Sequence, residues 1–387
     1  MTVKVTKPAI NVREELADLR KPTGLAGEAM LRAETPQEQF NLIGAARKNM
    51  LYNGAMVISQ RGTSETFTTA GNEYVLDRFY KLNGSSYAPN ITVSQQADAP
   101  SGFTYSMKVN VDGVTTPTSN QNLLIGQSLE GYDVAQLGYG TATAKSITIS
   151  FWVKANQTGS RGVYFMTTDV SRDYMAEFNI NQSGTWEYKT ITIPPNTIGG
   201  PNIDNSEGLR VLWPLSTGSS DKINASTEWE NIAAYRGLSG EPDLCDTVGN
   251  YFQITGIQLE VGPATPFEHR SYGEELALAQ RYFETIKDNR DMICVATSFS
   301  NQAAYGSIDY KVEKRATPTI TFTGGASNYR YRTNGNNRTL TSIGVSSVND
   351  QNFRIDMGVG VGNTVASHSG WLSGASGATG IQIDAEL

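Results

Sequence analysis

YFQITGIQLEVG, residues 251–262, carries the pattern that decides the fold. Phe252 and Ile254 alternate with polar residues, and so do Ile257, Leu259 and Val261, but the second set is one residue out of phase with the first. A period of two belongs to a half-buried β-strand, and a one-residue slip at a glycine is what a β-bulge at Gly256 produces. The alternation recurs upstream. FTYSMKVNV (103–111) places Phe103, Tyr105, Met107, Val109 and Val111 on one face, and KSITISFWV (145–153) does the same with Ile147, Ile149, Phe151 and Val153. TWEYKTITIPP (185–195) follows the same rule. Strands polar on one side, separated by Gly, Asn, Ser and Pro turns, predict a two-sheet, jelly-roll-like sandwich over residues 47–270.

Composition agrees. The 387 residues are 39% hydrophobic and 18% charged, with abundant Gly, Ser, Thr and Asn, as expected of a turn-rich, mostly β protein. The net charge of −7 is spread along the chain, without the Lys/Arg stripe that phosphate neutralisation needs, so nucleic acid is not expected as a partner. No apolar run is long enough to cross a bilayer, and MTVKVTKPAINVREELADLRKP has no apolar signal core. Two cysteines, Cys245 and Cys294, cannot build a disulfide framework, which fits folding in a reducing cytoplasm.

The sandwich has different neighbours on either side. In residues 1–46, NVREELADLRKP predicts a short helix capped by Asn11, with Val12, Leu16 and Leu19 on one face. TPQEQFNLIG predicts a second, capped by Thr35, with Pro36 at its first position, Glu38 closing a capping box, and Phe40 and Ile43 as apolar residues. Helices this short are marginal alone, so Val12, Leu16, Leu19, Phe40 and Ile43 are expected to dock on a partner. Beyond the sandwich, Ser271 and Glu274 form a second capping-box signature, and Leu276, Leu278, Phe283 and Ile286 suggest a linking helix over 271–290. Residues 291–387 then read as an antiparallel β domain, with TPTITF, NYRYRTNGNNRTL, NFRIDMGVGV and GIQIDAEL as its clearest strands and Asn334–Gly335 as a hairpin turn.

Residues that carry chemistry are sparse. His269 stands between Glu268 and Arg270 and is read as a tether between sandwich and helix rather than as an acid–base group; His368 lies in a glycine-rich stretch. DLCD (Asp243, Cys245, Asp246) lacks the partners of a zinc site, and the Asp pairs of DVSRD and KDNRD have no calcium loop around them. Glu130, Asp133, Glu228 and Glu230 are the carboxylates from which a glycosidase pair would be drawn, although acidic loop residues are ordinarily solvated. No catalytic residue, cofactor or metal ligand is assigned.

Aromatic residues say more. Trp152 falls on the strand face opposite Ile149 and Phe151, and Trp213, Trp229, Tyr235 and Trp371 lie in loop-like settings. Rings outside a core fill a subunit interface, are covered by their own loops, or stack on sugars. Trp152, Trp213, Trp229 and Trp371 are the residues expected at an interface or glycan contact.

Several stretches taken together resemble a known family. NGAMVISQRG (53–62), DAPSGFTYSMKV (98–109), LEGYDVAQLGYGTATAKSITISFWVKA (129–155), GTWEYKTITIP (184–194) and NYFQITGIQLEVGPATPFEHRSYGEELALAQRYF (250–283) are similar to tail-fibre or appendage proteins of tailed phages, above all phages of marine bacteria and cyanobacteria. The resemblance spans about residues 10–285, and the sandwich strands are more weakly similar to jelly-roll carbohydrate-binding modules. It implies a non-enzymatic virion component made in the host cytoplasm. Such a protein would be homotrimeric, joined to a phage tail or capsid protein through its N-terminal segment, and would face host-surface glycan. A capsid decoration or head-fibre protein of the same fold, and a glycan-degrading depolymerase, are the alternatives.

Overall fold

The computed structural model describes Arg32 and residues 48–84, 86–167, 172–231, 236–287, 292–333, 336–360, 365–374 and 380–387. The chain divides into two compact units, Met1–Asn49 and Met50–Leu387. The anchoring positions Val12, Leu16, Leu19, Phe40 and Ile43 lie outside the described residues, as does Tyr235.

Met50–Leu387 is mostly β, as the alternation predicts. In chain order its strands begin with β1 (Ser64–Phe67), β2 (Glu73–Leu76), β3 (Phe79–Gly84), β4 (Asn90–Gln96), β5 (Ser106–Gly113) and β6 (Asn122–Glu130). A one-turn helix, α1 (Gly131–Val134), precedes β7 (Ile147–Ala155), β8 (Gly159–Thr167), β9 (Asp173–Ile180), β10 (Glu187–Ile193) and β11 (Glu207–Thr217). The two-residue β12 (Lys222–Ile223) and β13 (Gly237–Leu238) run parallel to each other, and β14 (Tyr251–Val261) closes the series. Sheet I has the order β1-β4-β5-β14-β7-β10 and sheet II the order β2-β3-β6-β11-β8-β9, all neighbours antiparallel.

The alternating apolar residues meet between these sheets. Ile147, Ile149, Phe151 and Val153 of β7 are fully buried with Val211 and Trp213 of β11 and Leu123 and Ile125 of β6. Phe151 presents edge contacts to Phe178 at 5.1 Å and Trp213 at 5.6 Å, which ties the two layers together. Gly256 has φ +62°, and the register of β14 against β7 shifts between Thr255 and Gln258. The slip in the apolar pattern is therefore a β-bulge.

The two outer faces differ. Sheet II is covered: Tyr80, Leu82, Leu124, Tyr164, Met175 and Leu212 pack under Leu238 and Ile223. Its central strand β11 is accordingly buried on both sides and shows little alternation. Pro214 is tolerated in β11 because β8 pairs with it only as far as Leu212, and a register shift against β6 follows the proline. Sheet I leaves part of its outer face uncovered.

After the sandwich comes α2 (Tyr272–Gln280), with the expected capping box between Ser271 and Glu274. It is shorter than the 271–290 helix of the sequence reading. Phe283 and Ile286 belong instead to β15 (Phe283–Lys287), and α2 buries Glu275, Ala279 and Gln280 rather than an apolar stripe. The strand wins because Phe283–Lys287 pairs residue for residue with β24 (Gly380–Asp384). Between them run β16 (Met292–Ser298), β17 (Ala303–Asp309), β18 (Thr319–Phe322), β19 (Tyr329–Thr333), β20 (Asn336–Thr339), β21 (Ser342–Ser346), β22 (Asn352–Gly358) and β23 (Ser369–Gly374). A three-stranded sheet, β15-β24-β18, and a seven-stranded sheet, β20-β19-β23-β16-β17-β22-β21, enclose a core of Tyr329, Tyr331, Phe353, Ile355, Leu372, Ile381 and Ile383.

A charged seam holds this region to the sandwich. Arg78, in the β2–β3 turn, is fully buried; its guanidinium lies 3.4 Å over the Tyr282 ring, pairs with Glu386, and donates to the Ser128 carbonyl. Arg61 adds contacts to Glu386 at 3.2 Å and Asp384 at 3.3 Å. Arg281 makes a two-pronged pair with Glu130, both bonds 2.8 Å, and Tyr52 donates to Asp133 at 2.7 Å. Burying so many charges is tolerable only because they are paired.

Candidate functional site

The uncovered part of sheet I is carried by the end of β7 and by β10, with the outward residues of β14 buried beside them. In β7 the residues between the core positions point outward: Thr148, Ser150, Trp152 and Lys154. Cross-strand register sets Tyr188 of β10 directly opposite Trp152, and the two rings lie 5.4 Å apart. Trp186, just before β10, comes beside Lys154, whose ammonium lies 5.8 Å over the indole. On the far side of Trp152, Phe103 stands over the Gly256 bulge. A Cβ at Gly256 would lie 2.6 Å from the Phe103 ring and 3.1 Å from Trp152, so glycine is what lets these rings approach. Phe103 in turn contacts Phe267 at 5.0 Å and His269 at 5.4 Å.

This row of rings has a fixed polar centre. The Asp98 carboxylate accepts from Lys154 Nζ at 2.7 Å and from Trp186 Nε1 at 3.2 Å, while its carbonyl accepts from Gln253 Nε2 at 3.0 Å. The Lys154 hydrogen bond above all, helped by Trp186, holds Asp98 below the usual carboxylate range. It stays ionised at neutral pH and acts as an acceptor, not a proton donor. Rings braced by one another at tilted angles beside a tethered Asp–Lys pair make an amphipathic surface, suited to a ligand with apolar faces and hydroxyl edges.

The segment 263–269 roofs the other part of the face. Thr265 donates to both Glu260 oxygens, at 2.8 and 2.6 Å, and the Glu268 amide donates to Gln258 at 2.7 Å. These bonds complete the hydrogen bonding of two buried side chains of β14, Gln258 also donating to Glu260 at 2.8 Å. Arg270 contacts Glu268 at 3.4 Å and Glu275 at 3.5 Å and donates to the Leu51 carbonyl at 3.1 Å. Arg270 thus ties the junction together, whereas His269 is exposed and leans on Phe103 and Phe267.

Of the tryptophans singled out from the sequence, only Trp152 belongs to this face. Trp213 is a correction: it lies in β11, is 1% exposed, and has no surface to offer an interface or ligand. Trp229 is 5% exposed, packs against Tyr139 and Tyr174, and donates to the Pro194 carbonyl at 2.8 Å, so it too is core. Trp371 is on the seven-stranded sheet, away from the others, and 37% exposed. The candidate carboxylates divide into two that are held and two on the surface. Glu130 is held by Arg281 and Asp133 by Tyr52, while Glu228 and Glu230 are exposed on either side of Trp229. Asp243 caps the turn at Cys245, and Asp246 accepts from Asn250. Among the described residues no three His, Cys, Asp or Glu side chains are grouped to hold a metal ion.

No protein-family model matches the sequence, and no curated protein matches it. Among solved structures, 55% of the chain is similar to the enzymatically active domain of tailspike protein 4 of bacteriophage CBA120, at 11% identity and a TM-score of 0.33, spanning 21% of that chain. A family 11 carbohydrate-binding module of a cellulosomal cellulase of Clostridium thermocellum matches 52% of the chain and 99% of its own length, at 12% identity and a TM-score of 0.26. A xylan-binding module from Paenibacillus barcinonensis matches 57% of the chain and 99% of its own, at 12% identity and a TM-score of 0.24. Likeness this slight locates neither ligand nor activity on this chain.

Proposed function

We propose that the chain is a non-catalytic structural protein of a tailed-phage particle that attaches through its N-terminal segment and presents β faces to host-surface glycan. The observation that carries the reading is the uncovered face of sheet I, where Phe103, Trp152, Trp186 and Tyr188 are braced around Asp98 and Lys154. Sugars stack their apolar faces on such rings and offer hydroxyls to such charges. The ionised, doubly bonded Asp98 suits holding a ligand rather than protonating a leaving group. The resemblance of residues 10–285 to phage appendage proteins supports the particle setting. Weak contacts of this kind gain by repetition on a multivalent particle.

Two measurements test the reading. Labelling intact particles with antibody to this chain should mark the tail; labelling over the head would favour a decoration protein, and none at all would remove the virion setting. Retention on purified host envelope polysaccharide should fall at least about tenfold in Trp152→Ala/Tyr188→Ala. Retention unchanged in that variant would discard the face, and release of oligosaccharide by the wild type would make the protein a depolymerase.

A further inference from the structure

The seven-stranded sheet turns its other side to solvent, and the register of its strands fixes what is displayed there. Arg332 of β19 pairs across to Trp371 of β23, and Trp371 to Val295 of β16. Arg330, two residues before Arg332 and thus about 6.6 Å away on the same side, pairs across to Ser373. Val295 is 63% exposed and Trp371 37%, both high for apolar side chains. The row is one contiguous patch: a tryptophan and a valine with two guanidinium groups along one border.

Among the described residues neither Arg330 nor Arg332 has a carboxylate partner, and the Nε of each is buried without an acceptor. By contrast Arg354, on the opposite border, is held by Asp356 at 2.9 Å and lies 4.5 Å over the Tyr305 ring. Ser373, on the same side between Arg330 and Met292, is fully buried with its hydroxyl unpartnered. In a chain of net charge −7, two guanidiniums with no carboxylate partner among the described residues, beside an exposed indole, are an anion seat with a stacking platform.

We infer that this patch is a second glycan site, chemically distinct from the sandwich face, that takes an acidic polysaccharide of the polyuronate class. The sugar ring lies on Trp371, and its carboxylate meets Arg332 and Arg330. Charge argues for this occupant over a second copy of the chain. A twofold contact of this patch with itself would gather the guanidiniums of Arg330 and Arg332 from both copies in one interface, and like charges in a contact repel.

The test is titration of the full chain with an oligogalacturonate and with a neutral dextran oligosaccharide of equal length, at low and high salt. The wild type should bind the uronate and not the dextran, with affinity falling as salt rises. Trp371→Ala and Arg330→Gln/Arg332→Gln should each weaken uronate binding about tenfold or more, with an unchanged unfolding midpoint, and Trp152→Ala should leave it intact. Equal affinity for the neutral sugar, or no uronate binding, would overturn the inference. So would a Trp371→Ala protein that dissociates from oligomer to monomer, because the patch would then be a subunit contact. None of these results bears on Trp152, so the sandwich face stands or falls separately.

Discussion

Glu386 and Arg78 form a buried ion pair across 308 residues of chain, joining the C-terminal strand region to a turn of the sandwich. Removing one partner strands the other charge in a site water cannot reach. Glu386→Ala should therefore cost about 3–5 kcal/mol of unfolding free energy, whereas Arg78→Met/Glu386→Leu should cost clearly less. Denaturant titrations of the wild type and the two variants would check this, and a double variant that loses more than Glu386→Ala would show that the stranded charge is not what the single variant suffers from.

Glu241 gives the fold a pH dependence. Burial is the main cause that lifts its carboxyl from 4.5 to about 7, partly countered by Arg161 and by the Gly162 amide, which donates to it at 3.3 Å. Between those values the folded chain holds a proton that the unfolded chain has lost. The stabilising contribution is full below about 4.5, declines as pH rises, and is gone above about 7, a change of about 3 kcal/mol. Stability of the wild type should thus fall between about pH 4.5 and 7, and Glu241→Gln should flatten that slope.

Gly256 links stability to the candidate site. Alanine there would be strained at φ +62° and would press on Phe103 and Trp152. Gly256→Ala should cost about 1–3 kcal/mol and weaken glycan retention by spreading the two rings. Retention measured well below the variant's melting temperature separates the two effects.

The tryptophans should divide cleanly. Trp213→Ala, in the core, should cost about 3–5 kcal/mol. Trp152→Ala should cost no more than about 1 kcal/mol and show itself in binding. Thermal unfolding of both, run together, would show whether the surface and core assignments are right.

How much of this was readable in the sequence depended on local pattern. The bulge at Gly256 and the cap at Ser271 were legible because each is written in a few adjacent residues. Trp213 was misplaced because β11 is covered on both faces, which erases the period of two. Alternation alone puts Phe103 on the face of Met107 and Val109, but β5 begins only at Ser106. A bend closed by the Phe103 amide on the Pro100 carbonyl, 3.1 Å, throws its ring to the outer side. Phe283 and Ile286 imitate helical spacing, and only pairing with β24, about a hundred residues on, makes them a strand. Trp186 and Tyr188 were overlooked although their signal was present: TWEYKTITI alternates, and both rings fall on its polar side with Thr190 and Thr192.

The seam around Arg78 also bears on how the molecule is made. A ribosome adding about 5–20 residues per second needs roughly a quarter-minute to a minute to travel from codon 78 to codon 386. Throughout that interval the nascent sandwich carries an arginine with its principal counter-charge still untranslated, so this corner of the first-made layer stays wet and open. The corner can take its final packing only once the last residues have emerged, so the end of synthesis sets the earliest moment at which the seam can shut.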